Sequence, residues 1–290
     1  MELRHLEYFL AVVDHDGVTK AAAALRIAQP SLSQMIKTLE KDFGTELFHR
    51  VGRRLVLSAA GDALVGPARQ MIRDAATARA SVQEVIGLTG GRFDLASLST
   101  LAVDPLAPLI GAFRRAFPDV VIGLAEPEDT GSVGDLVRTG QCELGVAHLP
   151  LAAGDLVERD LGEQELLVVL PDSLLDPSID VLALEDLATL PWVASPAGSS
   201  TRALLDQSLS SVGVVPHIAV ETGHRESIVP LVLAGAGATL LPTSLAVDAR
   251  NRGARVCTTT PVIRRRVGLV HRAGPLSPAA HAFLALALSA

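Results

Sequence analysis

Residues 28–50, "AQPSLSQMIKTLEKDFGTELFHR", decide how this chain is read. Leu32, Met35, Ile36, Leu39 and Phe43 recur at helical spacing and predict an apolar face turned toward a core. The opposite stripe, Pro30, Ser33, Gln34, Lys37 and Lys41, holds two lysines, small hydrogen-bonding groups and no acid. Such a second face is either simply solvated or built to meet an anionic partner.

The flanking residues favour a partner. Upstream, "VTKAAAALRIAQ" (18–29) predicts a short helix over Thr19–Leu25 and a tight turn at "RIAQ". Pro30 then opens a second helix, where its missing N–H costs nothing. Two helices joined in this way form a helix-turn-helix unit, whose second helix offers its N-terminal side chains to base edges in a major groove. Downstream, "GTELFHRVGRRLVLSAAG" (44–61) joins an apolar anchor, Leu47-Phe48, to the basic turn Arg50-Val51-Gly52-Arg53-Arg54 and then to "LVL". Two short strands around a basic turn make a β-wing suited to phosphates or a minor groove. Gln29, Ser33 and Gln34 are the expected base readers, and Ser31, Lys37, Arg50, Arg53 and Arg54 the expected phosphate holders. Thr19, Lys20 and Pro30 complete the candidate DNA surface.

The composition has to be counted by region. The chain has 290 residues and a net charge of −7, yet residues 1–57 hold eight Lys/Arg against seven Asp/Glu. The acidic balance therefore lies outside the helix-turn-helix, and Arg50, Arg53 and Arg54 cluster within it. No apolar run approaches the roughly 18 residues of a membrane span, and "MELRHLEYFLAVVDHDG" lacks a secretory pattern. Cys142 and Cys257 cannot form a disulfide framework. A cytoplasmic protein without membrane contact is the expectation.

The run "LRHLEYFLAVVDHDGVTKAAAALRIAQPSLSQMIKTLEKDFGTELFHRVGRRLVLSAAG" resembles the winged helix-turn-helix of LysR-type transcriptional regulators. The paired alanines, "AQPSLS", "LE", "FG", "LF.R" and "LSAAG" all fall in register. Two departures stand out: Gly17 replaces the more usual serine cap, and Gln34 replaces the more usual arginine.

From Ser58 to about Leu88 the pattern is one long helix. Leu64, Ala68, Met71, Ala75, Ala78, Val82 and Val85 recur at alternating spacings of four and three, a heptad seam. Pro67 either kinks the helix or marks a late start. The helix either packs on its own domain or pairs with a copy. The resemblance implies a homodimer through Leu64, Ala68, Met71, Ala75, Val82 and Val85, and a homotetramer made from two dimers.

After "TGG" (89–91) strands and helices alternate. "FDLASLS", "DVVIGLAE" and "ELGVAH" predict strands separated by helices over 105–116 and 132–139. "ELLVVLP", "PWVAS", "HIAVET" and "GATLLP" predict a second set, with helices near 199–212 and 224–235. "RRRVGLVHR" and a helix over 278–288 end the chain. "FRRAFPDVVIGL", "LVRTGQCELGVAH", "LPWVASPAG" and "LAGAGATLLP" resemble the effector domain of the same family. The expected fold is an α/β effector-binding domain of two Rossmann-like subdomains, preceded by an all-α winged helix-turn-helix domain and a long linker helix. The expected divisions are residues 1–58, 59–89 and 90–290, the last split into subdomain I (about 90–161 and 268–290) and subdomain II (about 162–267).

Ligands of such sheets sit off the carboxyl ends of strands, near helix N-termini. Ser99 and Thr100, then Ser195, Ser199, Ser200, Thr201 and Arg202, then Thr222 and His224 occupy such places, with Thr130 and His148 as further candidates. The resemblance puts them around a cleft between the subdomains, and the hydroxyls suit a small carboxylate effector. No cofactor or metal is indicated, because the histidines lack metal spacing. "GAGATL" (235–240) follows a helix rather than a strand, which suits a tight turn better than a dinucleotide site. No catalytic elbow, P-loop or zincin motif occurs, so a regulator rather than an enzyme is expected. The alternatives are a thiol-based redox sensor through Cys142 and Cys257, and a ligand-binding or hydrolytic protein whose N-terminal unit docks to another protein.

Overall fold

The computed structural model describes residues 2–51, 54–84, 90–152, 154–176 and 178–289. Helices α1 (Leu3–Asp14), α2 (Val18–Leu25) and α3 (Gln29–Phe43) precede strands β1 (Phe48–Val51) and β2 (Arg54–Leu57). The long helix α4 (Ala59–Glu84) follows. Leu6, Phe9, Val12, Leu32, Leu39 and Leu47 form the core of this unit, with the Phe9 and Phe48 rings 5.4 Å apart. Phe43, expected in that core, is 44% exposed. It is the last residue of α3, and Gly44 at φ +69° turns the chain away there.

The wing and α4 are joined by a single serine. Ser58 Oγ donates to the Glu46 carbonyl at 2.7 Å and accepts the Gly61 N–H at 3.0 Å. It thus caps α4 while tying it to the entry of the wing. Gly61 is required beside it, because a Cβ there would run into the Leu47 carbonyl. Ser58→Ala should therefore cost about 1–2 kcal/mol, read as a lower denaturant midpoint. An unchanged midpoint would show that the cap is dispensable.

Helix α4 begins at Ala59, so Pro67 does not mark a late start. Leu64 and Ala68 are buried in the N-terminal core, and Met71 and Ile72 pack against it. Arg69 donates to the Asp14 carboxylate at 3.4 Å, which fixes α1 along α4. Leu64 and Ala68, two positions of the expected intermolecular seam, are thus covered within the chain, where α1 runs along α4. Met71 and Ala75 are half-buried. Val85 and the side chain of Val82 lie outside the described residues.

The rest of the chain forms two α/β lobes. In the first, β3 (Gly91–Ser97) pairs in parallel with β4 (Val120–Ala125) and β5 (Leu144–Leu149). Helix α5 (Ser99–Leu101), α6 (Ala107–Ala116) and α7 (Thr130–Arg138) connect these strands. Phe93, Phe113 and Phe283 meet in the core with centroids 5.4–5.9 Å apart. The long strand β6 (Leu156–Leu170) leads into the second lobe. That lobe holds β7 (Val181–Ala183), β8 (Pro191–Ala194), α8 (Ser200–Ser210), β9 (His217–Glu221) and α9 (Arg225–Leu233). It continues with β10 (Thr239–Pro242), α10 (Thr243–Asn251) and β11 (Arg255–Thr260). Strand β12 (Arg264–Arg272) then returns to lie antiparallel on both β5 and β6, and α11 (Pro278–Ser289) closes the first lobe. In "GAGATL", Gly237 at φ +148° passes so close to the Pro191 carbonyl that a Cβ would clash. The segment is a helix-to-strand turn, as expected.

The β6–β12 ladder carries the connection between lobes. Its register shifts between Val267 and Gly268, opposite Gly162 at φ +105°. The acidic start of β6 is stabilised by the arginines of β12: Arg266 meets Asp160 at 2.6 Å, and Arg264 meets Glu163 at 3.7 Å and Glu165 at 3.8 Å. Cross-strand charge pairs of this kind let a polar stretch join a sheet.

Candidate functional site

Two surfaces gather the functional side chains. On the first, Thr19, Lys20, Gln29, Ser33 and Arg50 line one open depression between α2, α3 and the wing. Gln29 Nε2 donates to Ser33 Oγ at 3.0 Å, so the pair is presented as a unit. Pro30, Ser31, Gln34 and Lys37 are exposed on the same helix, and its first turn has no acid and no side-chain cap. Its N-terminal N–H groups and dipole therefore favour an anion. Arg53 and the side chain of Arg54 lie outside the described residues.

The second surface is a cleft between the lobes, at the carboxyl ends of β3, β5, β8 and β9. Thr100 follows β3, His148 lies near the end of β5 opposite Val267, and Arg265 stands on β12 close enough for its charge to act on the His148 ring. From the other lobe, α8 begins at Ser200 and α9 at Arg225. Thr100, Ser195, Thr201 and Arg225 line one cavity, so both lobes contribute to it. Ser195, Ser199 and Arg225 line an adjoining one, and Ser99, His224 and Arg225 a third. The hydroxyls of Thr100, Ser199, Ser200 and Thr201 are shut off from solvent without a protein partner. Buried polar atoms are ordinarily hydrogen-bonded, and three of these hydroxyls, on Thr100, Ser199 and Thr201, belong to residues that line the cavities and are free to meet a polar group there.

Arg265 adds a cation whose charge acts on His148 and feels that of Arg225. Its Nε and Nη2 donate to Gln164 Oε1 at 3.2 and 3.1 Å, and Gln164 in turn donates to the Asp104 carbonyl at 3.1 Å. Its Nη1 is buried and donates to nothing. Burial and then the Arg225 charge hold the guanidinium down to about 9, so it stays cationic at neutral pH. Burial also lowers Arg225, while Glu126 and Glu128 support its charge. His148 is pushed down to about 3 by burial and then by Arg265 and Arg225. It is therefore neutral. A cation with a buried, unused N–H and only a neutral amide for partner is chemically suited to receive an anion.

Not every expected residue faces the cleft as a free donor. Arg202, expected to add charge, is neutralised by Asp206 at 2.9 Å and Glu221 at 3.2 Å. The Thr222 hydroxyl accepts the His224 N–H at 3.1 Å and serves its own turn. Thr130 opens α7 beside its cap Asp129, whose carboxylate accepts the Ser132 N–H at 2.9 Å. Arg225, Arg265 and Gln164 escaped the sequence reading. The signal for Arg265 was present: in "RRRVGLVHR" strand alternation puts the middle arginine on the face opposite Arg264 and Arg266.

Both cysteines are buried, in separate cores. Burial pushes the Cys142 thiol up to about 11 and also raises Cys257. Neither has the thiolate character of a reactive sulfur. Among the described residues no group of His, Cys, Asp and Glu could hold a metal ion, and no helix is long and apolar enough to cross a membrane.

Residues 3–62 match the family described as "Bacterial regulatory helix-turn-helix protein, lysR family", and residues 87–290 match "LysR substrate binding domain". The chain is 32% identical over 242 residues to the HTH-type transcriptional regulator ShiR of Corynebacterium glutamicum (strain R), covering 83% of this chain and 82% of ShiR. It is 30% identical over 244 residues to the HTH-type transcriptional regulator CysL of Bacillus subtilis (strain 168), covering 83% and 80%. Among solved structures, a full-length OxyR variant from Pseudomonas aeruginosa superposes with a TM-score of 0.80 at 24% identity, covering 99% of this chain and 93% of OxyR. Full-length CbnR complexed with its target DNA superposes at 0.68 and 21% identity, covering 99% of both chains. The fold is thus a helical DNA-binding unit followed by a two-lobed α/β effector domain. The chain belongs to the LysR family of transcriptional regulators, proteins that bind DNA, respond to a small-molecule effector and self-associate.

Proposed function

We propose that this regulator is controlled by a small carboxylate held in the cleft between its lobes. The observation that carries this reading is Arg265, a half-buried cation whose Nη1 is shut off from solvent and has no protein acceptor. The carboxylate would accept from Arg265 and from the hydroxyls of Thr100, Ser199, Ser200 and Thr201. A ligand bound by both lobes favours the closed cleft, and it shifts the assembly only by as much as it prefers that state. The divisions at residues 58 and 89, and the lobe limits near 161 and 268, describe the working units of this reading. Met71, Ala75, Val82 and Val85 would hold the homodimer, and two dimers the tetramer. A dimer places two copies of α3 on half-sites spaced by whole helical turns.

On DNA, Gln29, Ser33 and Gln34 would read bases, while Ser31, Lys37, Arg50, Arg53 and Arg54 would hold phosphates. Mobility-shift titrations on the DNA upstream of the protein's own coding region test this division of labour. Gln34→Ala should cost about 1–3 kcal/mol on the cognate site and relax preference at one position. Lys37→Ala should weaken all sequences alike and flatten the salt dependence by about one unit of slope. Reversed behaviour of the two variants would reject the assignment. For the cleft, Thr100→Val combined with Ser199→Ala should abolish the thermal shift given by a carboxylate and leave DNA affinity unchanged. A normal thermal shift in the double variant would place the pocket elsewhere.

A further inference from the structure

The cleft opens into a space that a small hydrophilic anion would not use. Between α8, α9 and α10 the second lobe encloses a cavity of about 260 Å³. Its walls are largely apolar, from Val193, Leu205, Ile228, Val229, Leu241 and Leu245. It is larger than the ~150 Å³ cavity that accommodates benzene in a protein interior. Its mouth is polar and lies in the cleft, at Thr100, Ser195, Thr201 and Arg225. The hydroxyls of Thr100 and Thr201 at that mouth are buried and unpartnered. Arg225 connects the mouth to Arg265 and His148, both of which feel its charge. Of the other charged residues that border the cavity, Arg202 is paired with Asp206 and Glu221, Arg252 lies 3.9 Å from Asp248, and Glu226 is exposed in the first turn of α9.

We infer that the effector is an amphiphilic monocarboxylate, aromatic or medium-chain aliphatic, whose apolar part enters this cavity while its carboxylate stays at the mouth. This rests on the cleft being the effector site. Apolar walls gain from an apolar occupant in proportion to the area removed from water. A second carboxylate, as in a short dicarboxylate, would be desolvated among Val193, Ile228 and Leu245, and the arginines bordering the cavity, Arg202 and Arg252, already face acids of their own. A phosphate would fill the mouth and leave the cavity unused.

Calorimetric titration of the full-length protein with acetate, succinate, phosphate, hexanoate and benzoate tests the inference. Hexanoate and benzoate should bind roughly tenfold or more tighter than acetate, from the area they bury, and with a negative heat-capacity change. Succinate and phosphate should bind no better than acetate. Val229→Phe and, from another wall, Leu245→Phe fill the cavity, and each should bring hexanoate down to the level of acetate while acetate itself is unaffected. Circular dichroism of both variants confirms that they are folded. Equal affinity for acetate, succinate and hexanoate, all lost in Arg265→Met, overturns the apolar pocket and leaves the cleft intact. Hexanoate binding that survives Arg265→Met, or no binding of any of the five at millimolar concentration, overturns the cleft and the pocket together.

Discussion

Arg265→Met should make the protein more stable and insensitive to its effector. The buried guanidinium is held below its ordinary range by desolvation, so folding with it charged is costly. Its protein partner, Gln164, is neutral. Replacing buried ionic groups by well-packed apolar side chains is often neutral or stabilising, by up to about 4 kcal/mol, and here no counter-ion is left behind. Removing the same group from a bound carboxylate should cost about 2–5 kcal/mol of affinity, a loss of thirtyfold or more. Denaturant unfolding and carboxylate titration of one variant read both effects. A less stable protein with unchanged affinity would make Arg265 a structural link to Gln164 and nothing more. The opposite signs follow from stability given up at the site where binding energy is recovered.

The second large effect is a pH dependence carried by His148. In the folded chain its imidazole is pushed down to about 3, whereas unfolded it titrates near 6.5. Between these values the unfolded chain takes up a proton that the folded chain refuses. Stability is therefore fully present above pH 6.5 and is lost as pH falls toward 3, by about 1.4 kcal/mol per unit at the steepest. His148→Asn should lose less over that window, and the difference between the two proteins isolates His148 from the carboxylates that titrate in both. A carboxylate bound at Arg265 offsets the repulsion on the ring, so saturating ligand should narrow the difference. A difference that stays flat from pH 6.5 to 3 would show that the ring is not buried neutral.

The helix-turn-helix was legible because its signals are local. Pro30 near the start of a helix, Gly44 at its end and the Ser58 cap each act within a few residues. The first half of β6 was not, because "DLGEQE" becomes a strand only opposite Arg264 and Arg266, about a hundred residues later. Helix α10 was also missed, since "TSLAVDARN" has little amphipathic contrast and its place is set by packing of Ala246 and Ala249. At the cleft, the hydroxyls could be placed from strand ends. The significance of Arg225 and Arg265 could not, because it lies in the desolvation of both and, for Arg265, in a partner that carries no charge. A heptad stripe likewise does not say which helix will cover it: at Leu64 and Ala68 the neighbour is α1 of the same chain.

The pairing of β6 with β12 also bears on how the chain comes to be folded. The whole second lobe is an excursion between two strands that must meet, and the first lobe lacks an inner strand until residues 264–272 have been made. Long-range closure of this kind is slow compared with local helix formation. On the ribosome, the DNA-binding unit can therefore be complete while both lobes are still waiting for one strand. A message truncated before that strand would yield a protein with a finished operator-reading head and no sensory half.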